Sequence, residues 1–216
     1  MAAGSASQPT VNVESWKRAT LTMTETSVTP RDFKARQQYY EHHPLYKHRQ
    51  DSWMKCYDYI ISALKLLTSN QLNTIVELGC NDGSLAVECL GNLPKYVQWI
   101  GYDIHKAFID ESKQHPRYKP ILLERQLWEY DLPKFDAFVS SHTIEHLYSD
   151  EVEALAHWLS NRARFLVLCV PLRPDHGRLH ADHILDKGSD WLVDLLESCG
   201  FSLVWQVKGW FGWFRR

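Results

Sequence analysis

No run in this 216-residue chain approaches eighteen apolar residues, so a membrane-spanning helix of ordinary length is excluded. Nor does one sign of charge dominate. The 24 Lys+Arg stand against 26 Asp+Glu, a formal balance of −2, which argues against wholesale wrapping of nucleic acid while leaving room for a local basic patch. The cysteines Cys56, Cys80, Cys89, Cys169 and Cys199 contain no Cys-x-x-Cys pair, so neither a disulfide framework nor a structural zinc site is suggested. The opening Met-Ala-Ala-Gly-Ser lacks the basic start and apolar stretch of a signal peptide, and position two is not the Gly that myristoylation requires. The expectation is a cytoplasmic protein in a reducing compartment, with no membrane partner. What is present, 44% hydrophobic and 23% charged residues, is enough for one globular domain with a sizeable core.

Residues 1–28 are rich in Ala, Ser, Thr and Val without helical or alternating period, and read as a flexible tail. Residues 29–70 read as a helical lid or substrate segment. Within it, Arg31 to Arg49 mixes Tyr39, Tyr40, His42, His43, Tyr46 and His48 with Lys34, Arg36, Lys47 and Arg49. That mixture suits a recognition segment and equally a cover for the body of the domain. From Asp51, Trp53, Tyr57, Ile60, Ile61, Leu64 and Leu67 recur at helical spacing to about Thr68.

From residue 71 to 216, strands alternate with helices. Thr74–Leu78 is short and β-branched, and Gly79 and a helix from about Ser84 to Leu90 follow it. Strand Val97–Tyr102, helix Lys106–Gln114, strands Pro120–Leu123 and Asp136–Ser140, helix Asp150–Ser160 and strand Arg164–Val170 continue the alternation. After an irregular connection with His176, His180 and His183, a helix from Ser189 ends at Gly200. Phe201–Val207 and Trp210–Phe214 then form a hairpin. The expected fold is α/β, doubly wound, with a mainly parallel seven-stranded sheet, helices on both faces and an antiparallel edge hairpin.

The chemistry concentrates at Glu77-Leu78-Gly79-Cys80-Asn81-Asp82-Gly83. Glycines after a first strand let backbone approach a ligand and turn sharply into a helix. Glu77 and Asp82 flank that turn, so a cationic amine or sulfonium suits it better than a pyrophosphate. The second strand ends in Asp103, where a carboxylate can accept both hydroxyls of a ribose, although an N-cap for the helix from Lys106 is also open to it. A nucleoside with a positive head group satisfies both features.

These residues, with Phe135 to Val139, Ser140 to Leu147 and Gly200-Phe201, resemble the class I S-adenosylmethionine-dependent methyltransferases from about Val76 to Phe201. The resemblance implies S-adenosylmethionine as cofactor. Glu77, Gly79, Cys80, Asn81 and Gly83 would shape the methionine side, Asp103 would hold the ribose and Ile104 would flank the adenine. Gln126 falls where an Asp commonly meets the adenine amine, and Ser141 lies at the end of the fourth strand. Asn81 stands where many members have a glycine.

Beyond that strand, His142, Glu145 and His146 share one side if they form a helical turn. The stretch resembles two metal-assisted branches, the 2′-O-methyltransferases of small-RNA 3′ ends and the ubiquinone-pathway O-methyltransferases, with His142 where those have a Glu. His142, Glu145, His146 and His183 are thus candidate ligands of a divalent metal, and the imidazoles favour Zn, Mn, Fe or Co over Mg. The bland alternative is a pair that caps a helix without any metal. His142 and His146 are the candidate catalytic bases. The expected activity is methyl transfer to an oxygen or nitrogen of a small molecule. The alternatives are an RNA-end 2′-O-methyltransferase and a catalytically silent cofactor-binding scaffold.

Overall fold

A computed structural model describes residues 30–41, 51–69, 72–172, 183–207 and 211–216. The tail 1–28, the basic and aromatic positions 42–50, and His176 and His180 lie outside them. The elements run α1 (Phe33–Glu41), α2 (Asp51–Thr68), β1 (Thr74–Leu78), α3 (Ser84–Asn92), β2 (Gln98–Asp103), α4 (Lys106–Asp110), β3 (Tyr118–Leu122), β4 (Phe135–Ser141), α5 (Ser149–Ser160), β5 (Ala163–Cys169), α6 (Ser189–Ser198), β6 (Ser202–Val207) and β7 (Phe211–Arg215). Two short 3₁₀ turns, Leu127–Glu129 and Ile144–His146, lie before β4 and after it.

The strands form one sheet in the order β3-β2-β1-β4-β5-β7-β6. Pairs from β3 through β5 are parallel, and β7 runs antiparallel between β5 and β6. The hairpin therefore closes the sheet with its second strand inserted next to β5. Alternation along the strands divides the core in two. Ile75, Trp99, Ala137, Val139, Phe165 and Val167 pack beneath α2 and α3, whereas Val76, Leu78, Phe138, Leu166 and Leu168 pack against α5 and α6. Both faces are covered, which is why the central strands read as nearly continuous apolar runs. Among the described residues no helix is long and apolar enough to cross a membrane.

Most bounds fall within one or two residues of the sequence expectation, and two departures have a visible cause. The helix from Lys106 stops at Asp110 rather than Gln114. There Ser112 Oγ takes the carbonyl of Phe108, and the N–H of Lys113 is drawn off to the carbonyl of Asp82. Strand β3 begins at Tyr118, two residues early, and contains Pro120. It is the outermost strand, where a missing N–H is tolerated.

Candidate functional site

Parallel strands β2, β1 and β4 end side by side, and the segments that follow them meet there. Gly79, Asn81 and Gly83 have φ of 80°, 48° and 75°, the left-handed region that glycine enters freely and asparagine tolerates. The N–H groups of Gly79 and Cys80 both donate to the Tyr102 carbonyl, at 2.8 and 3.1 Å, and fasten the turn to the end of β2. A Cβ on Gly79 would fall 1.8 Å from Thr143 Oγ1, so the β1 turn and the segment after β4 touch with no room for a side chain. Asp82 Oδ1 accepts the Ser84 N–H at 3.0 Å at the start of α3.

Asp103 is buried, and its two oxygens accept the backbone N–H groups of Asn81 and His105, each at 2.8 Å. Burial pushes its carboxyl above the usual carboxylate range, against the pull of those two N–H groups. Glu77 lies deep at the end of β1. Its carboxylate is 1% exposed, turned inside the sheet face, and accepts the indole N–H of Trp99 at 2.8 Å. Burial, with smaller contributions from Asp103 and Asp82, raises its pKa from 4.5 to about 8 despite the Trp99 bond. Glu77 is thus a proton-bearing acid near neutrality and not a fixed anion at the mouth. Burial likewise raises the Cys80 thiol well above its ordinary value, which makes it an inert part of the wall.

The segment after β3 and helix α1 close over this edge. Gln126 Nε2 donates to Glu151 Oε1 at 2.9 Å, and buried Arg36 reaches the same oxygen at 2.9 Å. The other oxygen of Glu151 accepts the Tyr148 N–H at 2.9 Å at the start of α5. Gln37 Nε2 donates to the Ile104 carbonyl at 3.0 Å, and Arg31 stacks 4.1 Å above the Tyr148 ring. In α1 and its approach, Arg31 and Arg36 are paired with Asp150 and Glu151 of α5.

The histidine cluster is divided. A single helical side shared by His142, Glu145 and His146 does not form, because His142 has φ 55° and the 3₁₀ turn starts only at Ile144. Glu145, His146 and His183 place ligand atoms within 4.8 Å of one another. His183 is buried, its Nε2 4.0 Å from Glu145 Oε1 and its ring 5.2 Å from that of His146. The Glu145 carbonyl accepts the N–H groups of Ile184 and Leu185 and so binds the His183 segment to this turn. Tyr40 of α1 lies edge-on to His146 at 6.2 Å. His142 faces two ways: its Nδ1 lies 3.6 Å from Glu145 Oε1, its N–H donates to the Cys169 carbonyl at 2.8 Å, and its Nε2 lies 3.6 Å from Cys56 Sγ and 3.8 Å from Cys169 Sγ. The Cys56 and Cys169 sulfurs are adjacent, close enough to join as a disulfide across a Cα–Cα distance of 6.4 Å. Ser141, at the end of β4, offers its carbonyl to Thr143 Oγ1 at 3.3 Å.

Sequence reasoning missed Cys56, Cys169, Thr143 and the Arg36–Glu151–Gln126 network. The two cysteines are separated by 113 residues, with no local spacing to link them. Gln126 and Arg36 are each visible singly in the sequence, whereas Glu151 leaves only the trace of an acidic residue in the first turn of a helix.

Residues 76–166 match the model of a methyltransferase domain. Over that stretch, from β1 into β5, the chain carries a methyltransferase domain. Solved methyltransferases share its architecture. Magnesium protoporphyrin IX methyltransferase of Synechocystis, with bound SAH, superposes with a TM-score of 0.60 at 14% identity over 85% of this chain and 98% of that one. Human N-acetylserotonin methyltransferase in complex with SAM gives 0.60 at 17% identity, over 86% of this chain and 57% of that one. Small RNA methyltransferase HEN1 gives 0.59 at 20% identity over 74% and 25%. At such identities the likeness is one of fold. No curated protein matches the methyltransferase by sequence.

Proposed function

We propose that this methyltransferase transfers the methyl group of S-adenosylmethionine to an oxygen, or a nitrogen, of a small-molecule acceptor. The supporting observation is that Asp103, the Gly79–Gly83 turn and the Glu145–His146–His183 cluster all stand at one edge of adjacent strands. The donor set fits a nucleoside with a cationic head. Each Asp103 oxygen accepts one backbone N–H and keeps a lone pair for a ribose hydroxyl. Gln126, whose amide nitrogen is held by Glu151, presents its carbonyl oxygen to an adenine amine, beside Ile104. Gly79, Cys80, Asn81 and Gly83 would bound the methionine side with Glu77 buried beneath them, and Ser141 would add a cofactor contact at the end of β4.

The cofactor supplies an electrophilic methyl group; the protein must hold an acceptor atom about 3–3.5 Å from it and in line. A hydroxyl acceptor must also lose its proton. His146, half-buried and flanked by His183 and Tyr40, is the base that the geometry favours. Glu145, His146 and His183 would also hold a divalent ion of the Zn, Mn, Fe or Co kind, which would acidify a bound hydroxyl. His142 stands outside this set.

A second reading, methylation of RNA ends, draws support from His183 seated on Glu145 and His146, the arrangement that the small-RNA branch resemblance implies, and from the fold shared with HEN1. The pairing of Arg31 and Arg36 with carboxylates weakens it, since neither is then offered to phosphate. The test is incubation with methyl-labelled S-adenosylmethionine and a panel of hydroxylated and amino small molecules and short RNAs, with and without chelation. Label in a small molecule, lost in His146→Ala, supports the first reading. Label in RNA 3′ ends alone supports the second, and cofactor binding without transfer to any acceptor leaves the silent scaffold.

A further inference from the structure

The methyl-transfer reading makes no use of the cluster formed by Cys56 in α2, Cys169 at the end of β5, and His142. We propose that, in the reduced protein, these three side chains are the ligands of a zinc(II) ion: two thiolate sulfurs and the Nε2 of His142.

Three independent observations converge on this site. Two sulfurs and an imidazole are the donor set that selects zinc over the hard ions Mg²⁺ and Ca²⁺. Ligands of a tetrahedral ion with Zn–N of about 2.0–2.1 Å and Zn–S of about 2.3 Å stand about 3.6 Å apart from nitrogen to sulfur. The imidazole Nε2 lies 3.6 and 3.8 Å from the two sulfurs, which stand near enough to bond to each other and would part to share an ion in the reduced protein. On its far side, His142 Nδ1 faces Glu145 Oε1 at 3.6 Å, where ligating histidines commonly have a carboxylate behind them.

The backbone supports the same reading. His142 is held in the left-handed region at φ 55°, a conformation that costs on the order of 1 kcal/mol for a residue with a Cβ. The hydrogen bond from its N–H to the Cys169 carbonyl fastens it there, beside the sulfur it would share an ion with. Both cysteines are buried while His142 is half-buried, so the ion's way in is past the imidazole. Metal binding releases the two thiol protons to solvent. Three protein ligands leave a fourth position for water or a substrate atom. With Nε2 occupied, His142 cannot act as a base, and the proton-accepting role falls to His146.

The same two sulfurs could instead form a disulfide, which would need a two-electron oxidant and would leave the imidazole without a ligand. The experiment separates the two. The full chain is purified under reducing conditions without chelator, its metal content is measured, and it is then reconstituted with Co²⁺. The expected result is one zinc per chain and, with cobalt, a near-ultraviolet thiolate-to-metal band. That band should be lost in Cys56→Ser and in Cys169→Ser and kept in Cys199→Ser. His183→Ala, which dismantles the neighbouring cluster, should also keep it. His142→Ala retains both thiols and guards against a folding artefact. It should weaken zinc affinity at least about tenfold while far-ultraviolet dichroism is unchanged. Three results would overturn the proposal: no metal bound, a cobalt spectrum without a thiolate band, or a Cys56–Cys169 disulfide found by peptide mapping of protein kept under reducing conditions. None of these readouts depends on methyl transfer, so a failure here and a failure of the proposed activity are distinguishable.

Discussion

Glu77→Gln should remove a pH dependence of stability that the wild type carries. In the folded chain burial holds the Glu77 carboxyl at about 8, whereas the unfolded chain titrates near the ordinary 4.5. Between those values the unfolded state has lost its proton and the folded state has kept it. The stability contributed by the protonated acid is therefore fully present below about pH 4.5 and drains away as pH rises toward about 8. Each unit in that window is worth about 1.4 kcal/mol, so the whole window amounts to about 5 kcal/mol as an upper estimate. The glutamine keeps an oxygen for the Trp99 indole N–H and has no proton to lose. Urea unfolding of both proteins from about pH 5 to about pH 8 should show the wild type losing about 3 kcal/mol relative to the variant. Any fixed packing cost of the amide cancels, because the comparison is of slopes. Parallel pH profiles would refute the reasoning and would mean that Glu77 stays ionised in the fold.

Arg36→Ala should free α1 from α5. It removes the bond to Glu151 and one to the Pro30 carbonyl, and deuterium exchange over residues 33–41 should rise while the sheet amides keep their protection, at a cost of about 2–3 kcal/mol locally. Gly79→Ala forces a side chain into the left-handed region and against Thr143 Oγ1, so it should abolish cofactor binding and lower the melting temperature. An unchanged titration with SAH would show that the β1 turn is not part of the binding site.

Much of the fold was legible because local pattern and tertiary demand agree. Thr74–Leu78, a β-branched run ending in glycine, and Asp51–Thr68, with its apolar positions at helical spacing, have the bounds the sequence implies. Where a distant group claims a backbone atom, the pattern misleads, as Asp82 does at Lys113. The same distinction runs through the site. Asp103 and the Gly79–Gly83 turn are fixed by strand ends and could be placed from spacing. The grouping of His142 with His146 assumed a helical turn, and the pull of Cys169 on the His142 N–H replaced it with a left-handed residue. Glu77 was read by its charge alone, although the Trp99 beneath it decides its state.

The central claim is that the carboxylate at the end of β2 binds the ribose of S-adenosylmethionine. Calorimetric titration of the wild type and Asp103→Asn with S-adenosylhomocysteine tests it most directly, because the asparagine oxygen can still accept one of the two backbone N–H groups that brace the turn. The account predicts saturable binding by the wild type and an affinity at least about tenfold weaker in the variant, since bonds to a charged acceptor are worth about 1.5–3 kcal/mol each. Equal affinity in both proteins, or no binding by the wild type, would contradict it.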